Sequence, residues 1–306
     1  MSYSKSPKEI VIADMVGAVP ERREDIQALW SQYDPKVVLV QDGKHITLDA
    51  TKNRIKFDAK SWDVFWLIGF SGWRAIECYA PLVKISAWTD TPINSLVQDD
   101  EGLARVERDY RERLAAVKAL IETADPETAS WPPDVPRPNP DRGLVADPQY
   151  QAAFDLTCLA VAFTLFHEFR HVMLDRDKRR PQDLREEELA CDIWARDFMT
   201  AKLAAYAQDH GHDYHEVLRK RSMGFALAAL ILHEITPVWD HGGSDAYFSV
   251  ATCMQTILDN TPLPDNDHFW VLAASLLIGI FRQKGQPISA QPVEPRLLTR
   301  HLLKGL

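Results

Sequence analysis

Between residues 126 and 148 the chain carries Pro126, Pro132, Pro133, Pro136, Pro138, Pro140 and Pro148. Each proline removes a backbone donor and fixes φ, so neither a helix interior nor a central strand survives that density. The stretch reads as an extended strap, and it divides the chain in two. Ahead of it, residues 36–58 hold three β-like runs: KVVLV at 36–40, HITLD at 45–49 and RIKFD at 54–58. Asp42-Gly43 separates the first two, which is a hairpin signal, so a small antiparallel meander is expected. From Ser61 to about Tyr79 the apolar positions Trp62, Phe65, Trp66, Trp73, Ile76 and Cys78 follow a helical period, and Pro81 is expected to end that helix. The aromatic stripe reads as packing surface rather than as a ligand platform. Residues 99–125 predict a second, amphipathic helix through Leu103, Val106, Tyr110, Leu114 and Val117. Behind the strap, helices are expected at 149–175, 182–209, 213–236, 245–259 and 267–283, with an extended tail from Gln286. The predicted class is α+β, mostly α. Its regions are 1–98 with the small sheet and aromatic helix, 99–148 with the amphipathic helix and linker, and 149–306, largely helical.

Charge and composition narrow the partners. Lys and Arg number 35 and Asp and Glu 44, a net charge of −9 in 306 residues. Such a balance lacks the basic face that displaces phosphate counterions, which argues against a nucleic-acid partner. No unbroken apolar run reaches the roughly 18 residues of a membrane span. The longest, 225–232 and 269–281, fit core helices, and Asp14 breaks the short apolar stretch near the start. Neither a membrane partner nor a leader is therefore expected. Cys78, Cys158, Cys191 and Cys253 lie far apart with no CxxC pair, as reduced thiols of a cytoplasmic protein would.

The chemistry is carried by His167-Glu168-Phe169-Arg170-His171, an HExxH. On a helix, residues four apart share a face, so both imidazoles can reach one ion. Zinc accepts such nitrogens at about 2.0–2.1 Å. Glu168, one step round the helix, is placed to act as general base on a metal-activated water. Two other His-Glu pairs serve as internal controls: the positions three residues after Glu216 and Glu234 are Arg219 and Pro237, not histidine. Downstream, Glu188 and Asp192 are four apart on a predicted helix. Glu188 can complete a His2Glu site, while Asp192 can accept a hydrogen bond from the far nitrogen of a ligand imidazole. Glu186 and Glu187 suit an ordinary acidic helix start. Metzincin geometry is excluded, because the positions that would need Gly and His hold Leu174 and Asp177. Arg170 is unusual inside such a motif and is expected on a solvated edge or near substrate. A donor for a developing oxyanion is expected from His241, beside Asp240, or from Tyr247, with Gly242-Gly243 as a mobile loop or, alternatively, a plain connection whose next helix Asp245 caps. His233 reads as a core histidine, and His210, His212 and His215 as a solvated loop cluster.

HEFRHVML followed by EEELACDIWA resembles the gluzincin class of zinc metallopeptidases, and the layout of the whole chain is similar to the Lit-type phage-exclusion peptidases. The gluzincin resemblance covers about residues 160–198. It implies a helical zincin-like core, a Zn2+ cofactor on His167, His171 and Glu188, and Glu168 as base. The Lit-type resemblance implies a cytoplasmic protease of similar length that cleaves a host translation factor when a phage signal is present. The expected function is thus a zinc-dependent endopeptidase acting on an intracellular protein or peptide substrate. Its basal activity is expected to be low, gated by an activating partner or by the strap. The alternatives are a zinc aminopeptidase and a non-catalytic helical interaction protein with an inactive motif.

Overall fold

The computed structural model describes residues 6–41, 45–97, 101–138, 147–244, 247–288 and 294–306. Two helices open the chain, α1 (Pro7–Ala18) and α2 (Arg23–Tyr33). Ser6 caps α1 through a reciprocal box with Glu9, and Pro7 sits where its missing N–H is harmless. Strands β1 (Lys36–Val40), β2 (Leu48–Thr51) and β3 (Arg54–Asp58) follow, then α3 (Ser61–Thr89), a single turn α4 (Ile93–Leu96) and α5 (Glu101–Glu122). Beyond the strap come α6 (Pro148–Arg176), α7 (Leu184–Thr200), α8 (Leu203–His210), α9 (Tyr214–Ile235), α10 (Val250–Asp259), α11 (His268–Gln283) and α12 (Pro295–Lys304). The fold is α+β and mostly α, as expected.

The sheet is mixed, not an antiparallel meander. Its order is β1-β3-β2, with β1 parallel and β2 antiparallel to β3. β3 takes the centre because it is the most deeply buried strand: Ile55 and Phe57 are both core residues. The expected Asp42-Gly43 hairpin falls outside the described residues. The second strand also lies two or three residues later than HITLD suggests. As a result β2 becomes an edge strand, and it packs on α6.

Three other expectations change. Helix α3 runs through Pro81 to Thr89, because Val83 and Ser86 beyond it are still buried, so packing outweighs the one hydrogen bond a proline removes. The predicted 182–209 helix breaks at 201–202, which seats Leu203 in the core. The tail is not extended throughout. Pro295 starts α12 instead of blocking it, and Leu298, Leu302 and Leu303 bury its inner face.

α6 is the axis of the structure. Asp147 caps it by accepting from the Gln149 and Tyr150 amides, and it packs against α1, α3, α7, α9 and β2. Its length and composition would suffice to cross a bilayer, but 72% of its most apolar window is buried inside the fold, which is how a core helix looks. Gly224 lets α9 approach it closely: a Cβ there would stand 2.5 Å from Leu159 Cβ. One hydrophobic cluster runs from Val11 to Leu303, on both sides of the strap. The strap's described part is pinned to that body. Pro136 O accepts from Trp66 Nε1 at 2.6 Å, and Asp134 pairs with Arg113 at 2.7 Å. The aromatic stripe of α3 packs inward, as read: Phe65, Trp66, Ile76 and Cys78 are buried.

Candidate metal centre and its cleft

The apolar residues of the motif fix α6, and the polar ones then have one direction left. Phe166, Phe169 and Val172 are fully buried. Phe169 meets Trp30 edge-on at 5.0 Å and Tyr33 at 6.2 Å. Across the helix, His167, Glu168 and His171 face a cleft of about 560 Å³. The two imidazole rings lie 4.9 Å apart.

α7 supplies the carboxylates. Asp183 caps it, and its first turns turn two pairs of residues toward α6, Glu187 with Cys191 and Glu188 with Asp192. Asp192 Oδ1 lies 2.8 Å from His167 Nδ1, and Glu187 Oε1 lies 2.7 Å from His171 Nδ1. Carboxylates accept, so both Nδ1 atoms donate. That turns both Nε2 atoms inward, 3.1 Å from each other. Glu188 closes the triangle, with Oε2 3.1 Å from His167 Nε2 and Oε1 3.6 Å from His171 Nε2. A tetrahedral ion with legs of about 2.0–2.1 Å places its donor atoms about 3.3–3.4 Å apart. The three contacts bracket that spacing, so this donor set fits a small divalent cation. His167, His171 and Cys191 also form a possible metal group, one donor atom from each lying within 4.8 Å of the others. Glu188 approaches the nitrogens more closely than that limit and is the better third donor. Cys191 is fully buried beside it.

The electrostatics agree. Burial works against charge on both imidazoles. Asp192 and Glu188 outweigh it at His167, and Glu188 outweighs it at His171, so both imidazoles are shifted above their ordinary range. Burial pushes the Glu188 carboxyl up, but the two imidazoles overcome it and hold that group far below the usual carboxylate range. Glu168 differs: burial dominates and raises its carboxyl, as suits a base that must accept a proton near neutral pH. Burial and the acidic neighbours Glu188 and Glu187 push the Cys191 thiol up.

Other residues fall in different places. Tyr247 lines the cleft and is exposed. His241 does not line it: Nε2 donates to Thr236 O at 2.9 Å and its ring meets that of His233 at 4.8 Å, tilted by 57°. The described residues 236–244 and 247–250 are hydrogen-bonded to one another and to α7 at several points. Gly243 adopts φ +73°, and a Cβ there would meet Tyr247 O at 2.7 Å. Ser244 N donates to Tyr247 O, Val250 N donates to His241 O, and the Arg185 guanidinium of α7 donates to Ser244 O. Ser249 caps α10, while Asp245 lies outside the described residues. Arg170 stacks over Trp194 at 5.5 Å, away from the cleft. His233 is buried against Glu234, and His210 bonds Tyr206 O at the surface. None of the strap's described residues lines the cleft.

Two residues escaped sequence reasoning. Glu187 is 1% exposed and holds both His171 and Arg180, the latter at 2.5 Å. Its place in a run of three glutamates gave it a local explanation that hid this one. Arg180, seven residues earlier in a turn, has no motif to mark it.

Comparison with known proteins adds one match. The family model described as peptidase U49 fits residues 55–273, which takes in β3, all of α6 and α7, and the first turns of α11. No curated protein and no solved structure matches the chain.

Proposed function

We propose, for a chain that belongs to the Lit-type peptidase U49 family and is therefore a peptidase, that it cleaves protein substrates internally as a zinc enzyme. The observation that carries the reading is the convergence of His167 Nε2, His171 Nε2 and the Glu188 carboxylate, with both far nitrogens already fixed by carboxylates. Those three residues would hold the ion, which when bound acidifies a water and polarises a carbonyl. Glu168 then takes the proton of the attacking water and returns it to the leaving amine; its raised carboxyl makes both transfers feasible. Asp192 and Glu187 keep the imidazoles in the right tautomer. Tyr247, which lines the cleft, would donate to the oxyanion in this reading. The cleft wall opposite includes Leu48, Asp49 and Ala50 of β2. An edge strand offers its outer backbone groups to an extended peptide, which fits a segment running through the cleft and not a bound chain end.

Elemental analysis of purified protein tests this directly. Wild type is expected to carry one zinc per chain, and His171→Ala and Glu188→Ala to lose most of it. Full metal content in both variants would remove the proposed ligand set. Glu187→Ala is expected to weaken zinc affinity about 10–100-fold by freeing His171. Competition against a chromophoric chelator measures it, and an unchanged affinity would make Glu187 structural only.

A further inference from the structure

The connection from α9 to α10 leaves three large apolar side chains in water. Val238 is 78% exposed, Trp239 75% and Tyr247 53%. Such residues scattered singly over a surface need no explanation, but neighbours gathered beside a cleft mark a place where another molecule binds. Val238 and Trp239 sit on one tight turn, in which Asp240 N donates to Pro237 O at 2.8 Å and His241 N donates to Val238 O at 3.2 Å. Thr236 before the turn and Asp240 at its end both line the cleft, as does Tyr247. The Trp239 ring meets His45 edge-on at 5.8 Å. His45 lies three residues ahead of β2, whose Leu48, Asp49 and Ala50 line the same cleft. The exposed pair therefore stands on the rim, between the α9–α10 connection and the sheet.

A cleft of about 560 Å³ is the size of a small-molecule site, so it takes in only a few residues of a polypeptide. The remainder of a chain that is cut internally has to cross the rim. An edge strand such as β2 pairs with backbone groups, which every polypeptide carries, and sequence is read through side-chain contacts instead. Resting on the endopeptidase reading above, we propose that Val238 and Trp239 dock the substrate polypeptide itself, by an apolar side chain a few residues from the bond that is cut. Tryptophan suits the task, because it covers a large area and gives up few rotamers on binding. The occupant is thus an unfolded segment with an aromatic or aliphatic residue flanking the cleaved bond.

Unfolded β-casein is the probe, and the substituted side chains lie mostly in water, so the fold is not at stake. Trp239→Ser is expected to weaken casein binding about tenfold, Val238→Ser less, and Trp239→Phe to stay within about threefold of the unsubstituted protein. Fluorescence anisotropy of labelled casein measures this, with Glu168→Gln as the common background so that the probe stays whole. Without that background, Trp239→Ser is expected to raise KM for casein about tenfold and to keep kcat. Equal affinity with and without Trp239→Ser overturns the proposal, as does a protein with both side chains intact that binds no casein. A loss carried by kcat alone also overturns it, since Trp239 would then shape the reacting site. So does a change of oligomeric state with Trp239→Ser in sedimentation, which would make the patch a contact between copies of this chain. Trp239-dependent binding without any cleavage of casein supports the docking surface and counts against the endopeptidase reading. The metal analysis described above is independent of all these readouts, so the zinc ligands stand or fall separately.

Discussion

Glu168→Gln is expected to reduce peptide-bond cleavage about 10²–10⁴-fold while leaving the zinc content at the wild-type level. Glutamine keeps the size and shape of the side chain but cannot take a proton. Glu168 is buried beside the two imidazoles, and its carboxyl is raised by burial, opposed by their charge. On the proposed reading it would supply a base and not a ligand, and the two roles separate in this one variant. Cleavage of a fluorogenic protein substrate, measured alongside metal analysis of the same preparation, checks both halves. Turnover within threefold of wild type would place the base elsewhere in the cleft. Loss of metal with the activity would instead make Glu168 part of the binding set.

The second large effect lies on the opposite side of the same helix. Phe169→Ala is expected to destabilise the protein by about 3–5 kcal/mol, the usual range for emptying a buried aromatic site. Phe169 has no exposure, and its ring is held edge-on by Trp30 and Tyr33 of α2. The two remaining rings, Trp30 and Tyr33, cannot collapse into the space it leaves without moving α2 off α6. Urea unfolding of metal-free wild type and variant measures the difference. A change under about 1 kcal/mol would show that this part of the core refills easily. Phe169→Leu should recover a good part of the loss.

The readings that were legible in the sequence rest on periodicity and spacing. β1 and β3 occupy the residues expected of them, and α6 starts and ends within a residue of the prediction. His167, His171, Glu188 and Asp192 are brought together, because i,i+4 pairs on two helices can be recognised without knowing how the helices pack. What was not legible depends on tertiary choices. The order of three short strands is set by which one the core buries deepest, so the alternation within each strand says nothing about it. Pro81 and Pro295 behave differently from the expectation because a helix with enough buried surface tolerates the one and begins at the other. His241 is near Asp240 and Tyr247 in the chain, but its ring direction is fixed by Thr236 O and His233, neither of which the local sequence marks as a partner. Glu187 was misjudged for the opposite reason: an acidic residue early in a helix already has a sufficient local cause.

Placing the cation's imidazoles on α6 has a consequence for the whole molecule. The helix packed against α1, α3, α7, α9 and β2 also carries the two imidazoles that would hold the ion on the proposed zinc reading. On the proposed zinc reading, occupancy and folding would form one linked equilibrium, and a chain starved of the ion would be weaker as well as inactive, which thermal unfolding with and without added zinc measures.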